Sequence, residues 1–203
     1  MTPTAGVVAV QGNVAEHVRA IERAGAANGV DVTVHEIRGS GTVPDCDLLA
    51  LPGGESTTIS RLIHEAGIAP EIRAHVEAGK PLLATCAGLI VASRDAADPR
   101  VETLDLLDVR VERNAFGRQR DSFEADLDVA GLDESFPAVF IRAPAIGEGE
   151  TDGEGDGDAG GPETLARWDG RPVAVRQGPI VATAFHPELT GDPRLHALAF
   201  FES

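Results

Sequence analysis

A lone cysteine becomes a candidate nucleophile when the chain lifts its thiol off a sheet and a base stands within reach. Cys86 follows the apolar run Pro81-Leu82-Leu83-Ala84-Thr85 and precedes the small residues Ala87 and Gly88. This reads as a strand turning sharply into a helix, the elbow that serine hydrolases use to expose a nucleophile. A helix N-terminus beside the sulfur favours the thiolate. The competing reading is a buried structural cysteine, the commoner fate of a lone one. A candidate base is His186 in His186-Pro187-Glu188, directly after the apolar run from Pro179 to Phe185. In extended chain residues i and i+2 project to the same side, about 7 Å apart. Glu188 can then hold one ring nitrogen while the other faces the thiol, with Pro187 stiffening the pair. By itself a His-x-Glu pair is weak evidence. His17, His35, His64, His75 and His196 lie in expected helices or at a strand end, and most read as solvated or satisfied locally.

A third element is Pro52-Gly53-Gly54-Glu55-Ser56-Thr57-Thr58. Paired glycines leaving a buried strand let backbone N–H groups approach a ligand and hold a developing oxyanion. The same residues also read as a tight turn with Ser56 or Thr57 capping the next helix, and both readings can hold together. No Gly-Lys-Ser/Thr follows, so this is not a phosphate loop. Cys46 lies in Asp45-Cys46-Asp47, where the flanking carboxylates raise a thiol pKa, and it reads as inert.

The elements that must position these residues follow from periodicity. Residues 5–12 read as a buried strand ending in a glycine turn, and 14–28 as a helix with Val14, Val18 and Ile21 on one face. Strands are expected over 30–37, 47–51 and 81–86, and helices over 57–66, 70–78 and 87–94. That alternation predicts an α/β fold, a mostly parallel sheet with helices on both faces. Stretches 104–113, 122–129, 138–142, 164–168, 172–177 and 179–185 are β-rich, with turn signals at Asp169-Gly170 and Gln177-Gly178. They read as antiparallel strands and hairpins at the sheet edge, and 192–202 as a closing helix begun by Asp192-Pro193.

The chain has 203 residues, and at roughly 150 residues per domain the expectation is one domain over 1–203. Two cysteines make no disulfide framework, and no apolar run approaches the ~18 residues of a membrane span. Met1-Thr2-Pro3-Thr4 lacks the basic and apolar regions of a signal peptide, so a reducing, cytoplasmic location is expected. Seventeen basic residues, of which only Lys80 is a lysine, against 33 acidic ones give a net charge of −16. Such a surface repels phosphate backbones and anionic membranes, which argues against nucleic-acid or membrane binding. It reads as a salt-adapted surface or, second, as an acidic face for a partner. Residues 147–161 hold seven glycines and six acidic residues with no large apolar side chain, and so read as a surface loop. From Asp152 to Glu163 the acidic positions nearly fit a calcium loop, but Ala159 and the missing flanking helices argue against one. No metal is expected.

Together these residues resemble class I (triad) glutamine amidotransferases, and within them the glutaminase subunits of pyridoxal 5′-phosphate (vitamin B6) synthesis. The resemblance rests on Val10-Gln11-Gly12, Leu51 to Thr58, Thr85 to Gly88, Glu112 to Gln119, Asp121 to Glu124, Phe140 to Pro144 and Phe185 to Thr190. These stretches lie in family order along nearly the whole chain, and the Arg113 to Gln119 run separates this group from other triad amidotransferases. The resemblance implies one three-layer amidotransferase domain without a cofactor. Cys86 would attack the side-chain amide of L-glutamine and form a glutamyl thioester, with His186 moving protons and Glu188 orienting it. Gly54 and Ala87 would hold the oxyanion; Gly54, Glu55, Ser56, Arg113, Ile141 and Arg142 would bind glutamine. Ammonia would pass to a separate barrel-shaped synthase subunit in a large hetero-oligomer, which makes pyridoxal 5′-phosphate from ribose 5-phosphate and glyceraldehyde 3-phosphate. Two departures stand out. Position 84 is alanine where the family elbow carries glycine, tolerable at negative φ and costly by roughly 1 kcal/mol at positive φ. The 147–161 loop also looks longer than its family counterpart. Alternatives are a triad amidase serving another acceptor, a γ-glutamyl hydrolase, and a catalytically silent binding subunit.

Overall fold

The computed structural model describes residues 2–112, 122–147 and 161–201. The chain runs β1 (Thr4–Val8), α1 (Val14–Ala27), β2 (Thr33–Ile37), β3 (Leu48–Leu51), α2 (Ser56–Glu65), α3 (Ala69–Glu77), β4 (Leu82–Thr85) and α4 (Ala87–Ala92). It continues through β5 (Ser93–Asp95), β6 (Leu107–Glu112), β7 (Ser122–Leu127), β8 (Phe136–Ile141) and β9 (Ala145–Ile146). Next come β10 (Glu163–Trp168), β11 (Arg171–Gln177), β12 (Ile180–Thr183) and α5 (Arg194–Phe200). Of the expected acidic loop only Gly147 and Gly161 are described; 148–160, with most of the near-calcium pattern, lie outside the described residues.

Strands β3, β4 and β12 are buried at every position. Continuous apolar runs without alternation belong in the middle of a sheet covered on both faces. They do so here: the main sheet has the order β10-β11-β12-β4-β3-β1-β2. Its five strands from β12 to β2 are parallel, and β11 and β10 add antiparallel at one edge. The chain moves outward one way through β1-α1-β2, then returns to β3 and moves the other way to β4. Right-handed crossovers therefore place α1 and the α2–α3 pair on opposite faces. Helix α5 packs on α1, and α4 on α2, completing three layers.

This order has a switch point between β1 and β3, where the carboxyl ends open a crevice suited to a ligand. The register sets what emerges there. Thr85 of β4 pairs with Thr183 of β12, so Cys86 and the segment leading to His186 leave the sheet side by side.

The second half departs from the expected edge additions. The stretch expected over 179–185 is no edge addition: β12 lies inside the main sheet, parallel to β4, and only β10 and β11 extend the sheet antiparallel beyond it. Strand β6 forms a small sheet with β5 and β9, and β7–β8 is a separate hairpin. The helix expected over 87–94 ends at Ala92 because Ser93 turns extended and enters β5. The hairpin is docked by aromatics: Phe140 lies 5.5 Å and Phe136 6.0 Å, centroid to centroid, from Phe185, and all three are buried. Among the described residues no helix is long and apolar enough to cross a membrane.

Candidate active site

The elbow is strained at the cysteine itself. Cys86 has φ 51° and ψ −106°, a conformation costing a non-glycine residue on the order of 1–3 kcal/mol. Its N–H is held by the Thr183 carbonyl at 2.7 Å. Ala84 stays within β4 without a positive φ, so alanine in place of the family's glycine carries no backbone strain. The tight spot is Gly88: a Cβ there would meet the Leu51 carbonyl oxygen at 2.1 Å. Only glycine lets α4 begin this close to the end of β3.

His186 emerges beyond β12, with its N–H donated to the Val139 carbonyl of β8 at 2.8 Å. Its Nδ1 lies 2.8 Å from Glu188 Oε1. This contact does not come from extended spacing, which would leave the two about 7 Å apart. Pro187–Leu189 forms a 3-10 turn that folds the carboxylate back onto the ring. Both side chains are buried. Burial pulls the imidazole pKa down, but hydrogen bonds and charge from Cys86 and Glu188 overcome this and raise it to about 10. Burial pushes Glu188 up, yet the His186 hydrogen bond, nearby His17 and the Asn13 amide hold it at about 2. Imidazolium and carboxylate are thus the stable pair at neutral pH.

A cavity of about 330 Å³ opens over the elbow. Cys86, Ala87, Gly54, Glu55, Ser56, Ile141, Arg142 and His186 all line it. Glu188 stands behind His186, and Arg113 lies outside the described residues. At Gly53 a Cβ would sit 2.7 Å from His186 Cε1, so the turn passes directly over the ring. The Glu55 N–H donates to Gln11 Oε1 at 2.7 Å, which pins the following peptide. Neither Ser56 nor Thr57 caps α2; Glu55 occupies the cap position, and the buried Ser56 Oγ has no hydrogen-bond partner among the described residues. Among the described residues no three His, Cys, Asp or Glu side chains are grouped to hold a metal ion.

Two histidines correct the sequence reading. His64 and His75 each place one ring nitrogen on a backbone carbonyl close in sequence and His35 is exposed, but His17 and His196 are completely buried beneath the carboxylate. His17 had a signal: it is four residues before Ile21, on the face that α1 turns to the sheet. Asn13, whose amide donates to Glu188 Oε1 at 3.0 Å, was also missed. Cys46 is buried with a raised pKa, chiefly from burial, with Asp45 and Asp47 adding to it.

The profile of the SNO glutamine amidotransferase family matches residues 7–202. The chain is 68% identical to "Pyridoxal 5'-phosphate synthase subunit PdxT" of Haloarcula marismortui, covering 100% of this chain and 98% of that one. It is 66% identical to the protein of the same name from Halobacterium salinarum, covering 100% and 95%. A solved structure described as a glutamine amidotransferase superposes with a TM-score of 0.79 at 45% identity, covering 95% of this chain and 94% of that one.

Proposed function

The chain belongs to the SNO glutamine amidotransferase family, and from that premise we propose that it is the glutaminase subunit of a pyridoxal 5′-phosphate synthase. The whole 203-residue chain then acts as one amidotransferase domain in the cytoplasm. The observation that carries the mechanism is the buried His186–Glu188 contact of 2.8 Å beside an elbow cysteine that lines the cavity.

The Cys86 sulfur, whose proton already rests on His186, attacks the side-chain carboxamide carbon of L-glutamine. The tetrahedral oxyanion is held by backbone N–H groups at Gly54 and Ala87. His186 then protonates the leaving nitrogen, the C–N bond breaks, and ammonia departs from a glutamyl thioester. Water, deprotonated by His186, attacks the thioester and releases glutamate, leaving the sulfur and the imidazolium as they began. Glu188 keeps Nδ1 protonated throughout and aims the ring. Glu55, Ser56 and Ile141 shape the glutamine site, and Arg142 supplies the cation that the carboxylate of a zwitterion needs, with Arg113 the other arginine assigned to that role. No cofactor takes part in these steps. Ammonia passes to the barrel-shaped synthase subunit in a hetero-oligomer, where it is built into pyridoxal 5′-phosphate.

The test is glutamate release from L-glutamine in high salt, with and without the synthase subunit, for the unaltered chain and Cys86→Ala. The expected result is release that rises with the synthase and is lost in the variant, which still binds the synthase. Docking without glutamate release in either arm would leave a silent binding subunit instead.

A further inference from the structure

Behind the carboxylate lies a buried chain that the steps above do not use. Glu188 Oε1 is well served, by His186 Nδ1 at 2.8 Å and Asn13 Nδ2 at 3.0 Å. Glu188 Oε2 is buried without a hydrogen-bond partner among the described residues, and the group facing it is His17 Nε2 at 3.5 Å. The same nitrogen is 3.2 Å from Thr85 Oγ1, the residue just before Cys86. On its far side His17 Nδ1 lies 3.2 Å from His196 Nε2. Both rings are fully buried, and burial lowers both pKa values, that of His196 to about 3.

Two neutral rings in contact have one proton between their facing nitrogens, so their tautomers are linked. If His17 carried its proton on Nδ1, the Nε2 lone pair would face the Glu188 carboxylate. With the proton on Nε2, that N–H lies between the carboxylate and Thr85 Oγ1, and Nδ1 accepts from His196 Nε2–H. The bare His196 Nδ1, which has no partner among the described residues, is then an acceptor rather than a stranded donor. We infer that His17 and His196 are positioning residues of the glutaminase site: a neutral pair, each protonated on Nε2, that steadies the second Glu188 oxygen and ties it to the strand presenting Cys86. For its catalytic consequence this rests on the function proposed above; its geometry does not.

The first test needs no substitution. In the full chain labelled with 15N-histidine, imidazole shifts should show neutral Nε2–H rings at positions 17 and 196 from about pH 5 to about pH 8, where an ordinary imidazole titrates. A charged ring or an Nδ1–H tautomer at position 17 overturns the inference. The second test follows glutamate release with the synthase subunit present for His17→Leu and His17→Gln. The leucine variant should lose kcat by about tenfold with KM within about twofold. Its acid limb should move to higher pH, because Glu188 loses a neighbour that favours its charged form. The groups facing His17 are Glu188, His186, His196 and Glu16; those facing His196 are His17, Glu188 and Arg23. The glutamine variant keeps an N–H donor and should recover most of kcat. Unchanged kcat and pH profile in His17→Leu, or no recovery in a stably folded His17→Gln, overturns the inference. Should His17→Leu fail to fold, the ring tautomers decide. If the unaltered protein releases no glutamate, the functional reading falls; the pair is then judged by its tautomers and by the alkylation rate of Cys86 with iodoacetamide, expected to fall in the same order.

Discussion

At the scale of single residues, four buried ionisable groups pull in concert. Glu188 is held at about 2 against an ordinary 4.5, so its share of stability is complete above about 4.5 and is lost as pH falls toward 2. His186 is raised from 6.5 to about 10, so its share is complete below 6.5 and is lost as pH rises toward 10. His17 and His196 are shifted downward; below 6.5 the unfolded chain binds protons that these buried rings refuse, which also costs stability. All four contributions favour a maximum near pH 6.5. Thermal melts across pH should therefore peak close to that value, and His186→Ala should flatten the alkaline flank and weaken the acid one, since Glu188 loses its main partner. A melting point still rising at pH 9 in the unaltered protein would contradict the assignment of His186. Much of this scale was legible. Cys86 announced itself through Leu82 to Thr85 on one side and Ala87-Gly88 on the other, and His186 through its apolar strand and Pro187. His17 and His196 were not legible as a pair, because nothing in a linear sequence says that two helices 179 residues apart in their facing histidines meet under one carboxylate.

At the scale of elements, the strands that build the crevice were plain as strands because Leu48–Leu51, Leu82–Thr85 and Ile180–Thr183 are apolar runs, but the place of the last, inside the sheet and parallel to β4, was not. The positive φ values at Asp169 and Gly170 match the turn read from that dipeptide. What periodicity could not see were β5 and β9, of three and two residues, too short to carry any alternation. Their absence from the reading is why β6 looked like an addition to the main sheet. The β7–β8 hairpin matters more for chemistry. It carries Ile141 and Arg142 to the cavity and fixes the His186 backbone through Val139. Its hold on the rest of the protein runs through Phe140 and Phe136, which both meet Phe185, while Phe123 of β7 stacks on Phe140 at 4.5 Å within the hairpin. Phe140→Ala should cost about 3 to 5 kcal/mol in chemical denaturation. It should also raise KM for glutamine, since the hairpin then rides loosely over the site. A loss under about 1 kcal/mol would mean that the hairpin is held by something other than this cluster.

At the scale of the whole molecule the question is which way salt acts. Several arginines already have a local acidic partner: Arg19 with Glu16, Arg61 with Glu65, Arg100 with Asp98 and Arg194 with Asp192. Exposed pairs such as Arg19–Glu16 and Arg61–Glu65 are worth about 0–1 kcal/mol each, and salt weakens them. Against them stands the repulsion among a net 16 negative charges on one small body, which salt relieves. The Debye length falls from about 10 Å at 0.1 M to about 3 Å at 1 M, so repulsion between surface charges several residues apart is nearly gone by then. Contacts inside an ion pair are shorter than either length and lose less. The net effect should therefore be stabilising, with the unfolding midpoint rising between about 0.1 and 1 M potassium chloride and levelling beyond. A midpoint that keeps climbing well above 1 M, and climbs further in sulfate than in chloride, would assign the gain to strengthened apolar burial instead of screening. A flat response would show that the acidic excess costs the folded state nothing, and would favour the reading of the acidic surface as a partner-facing one.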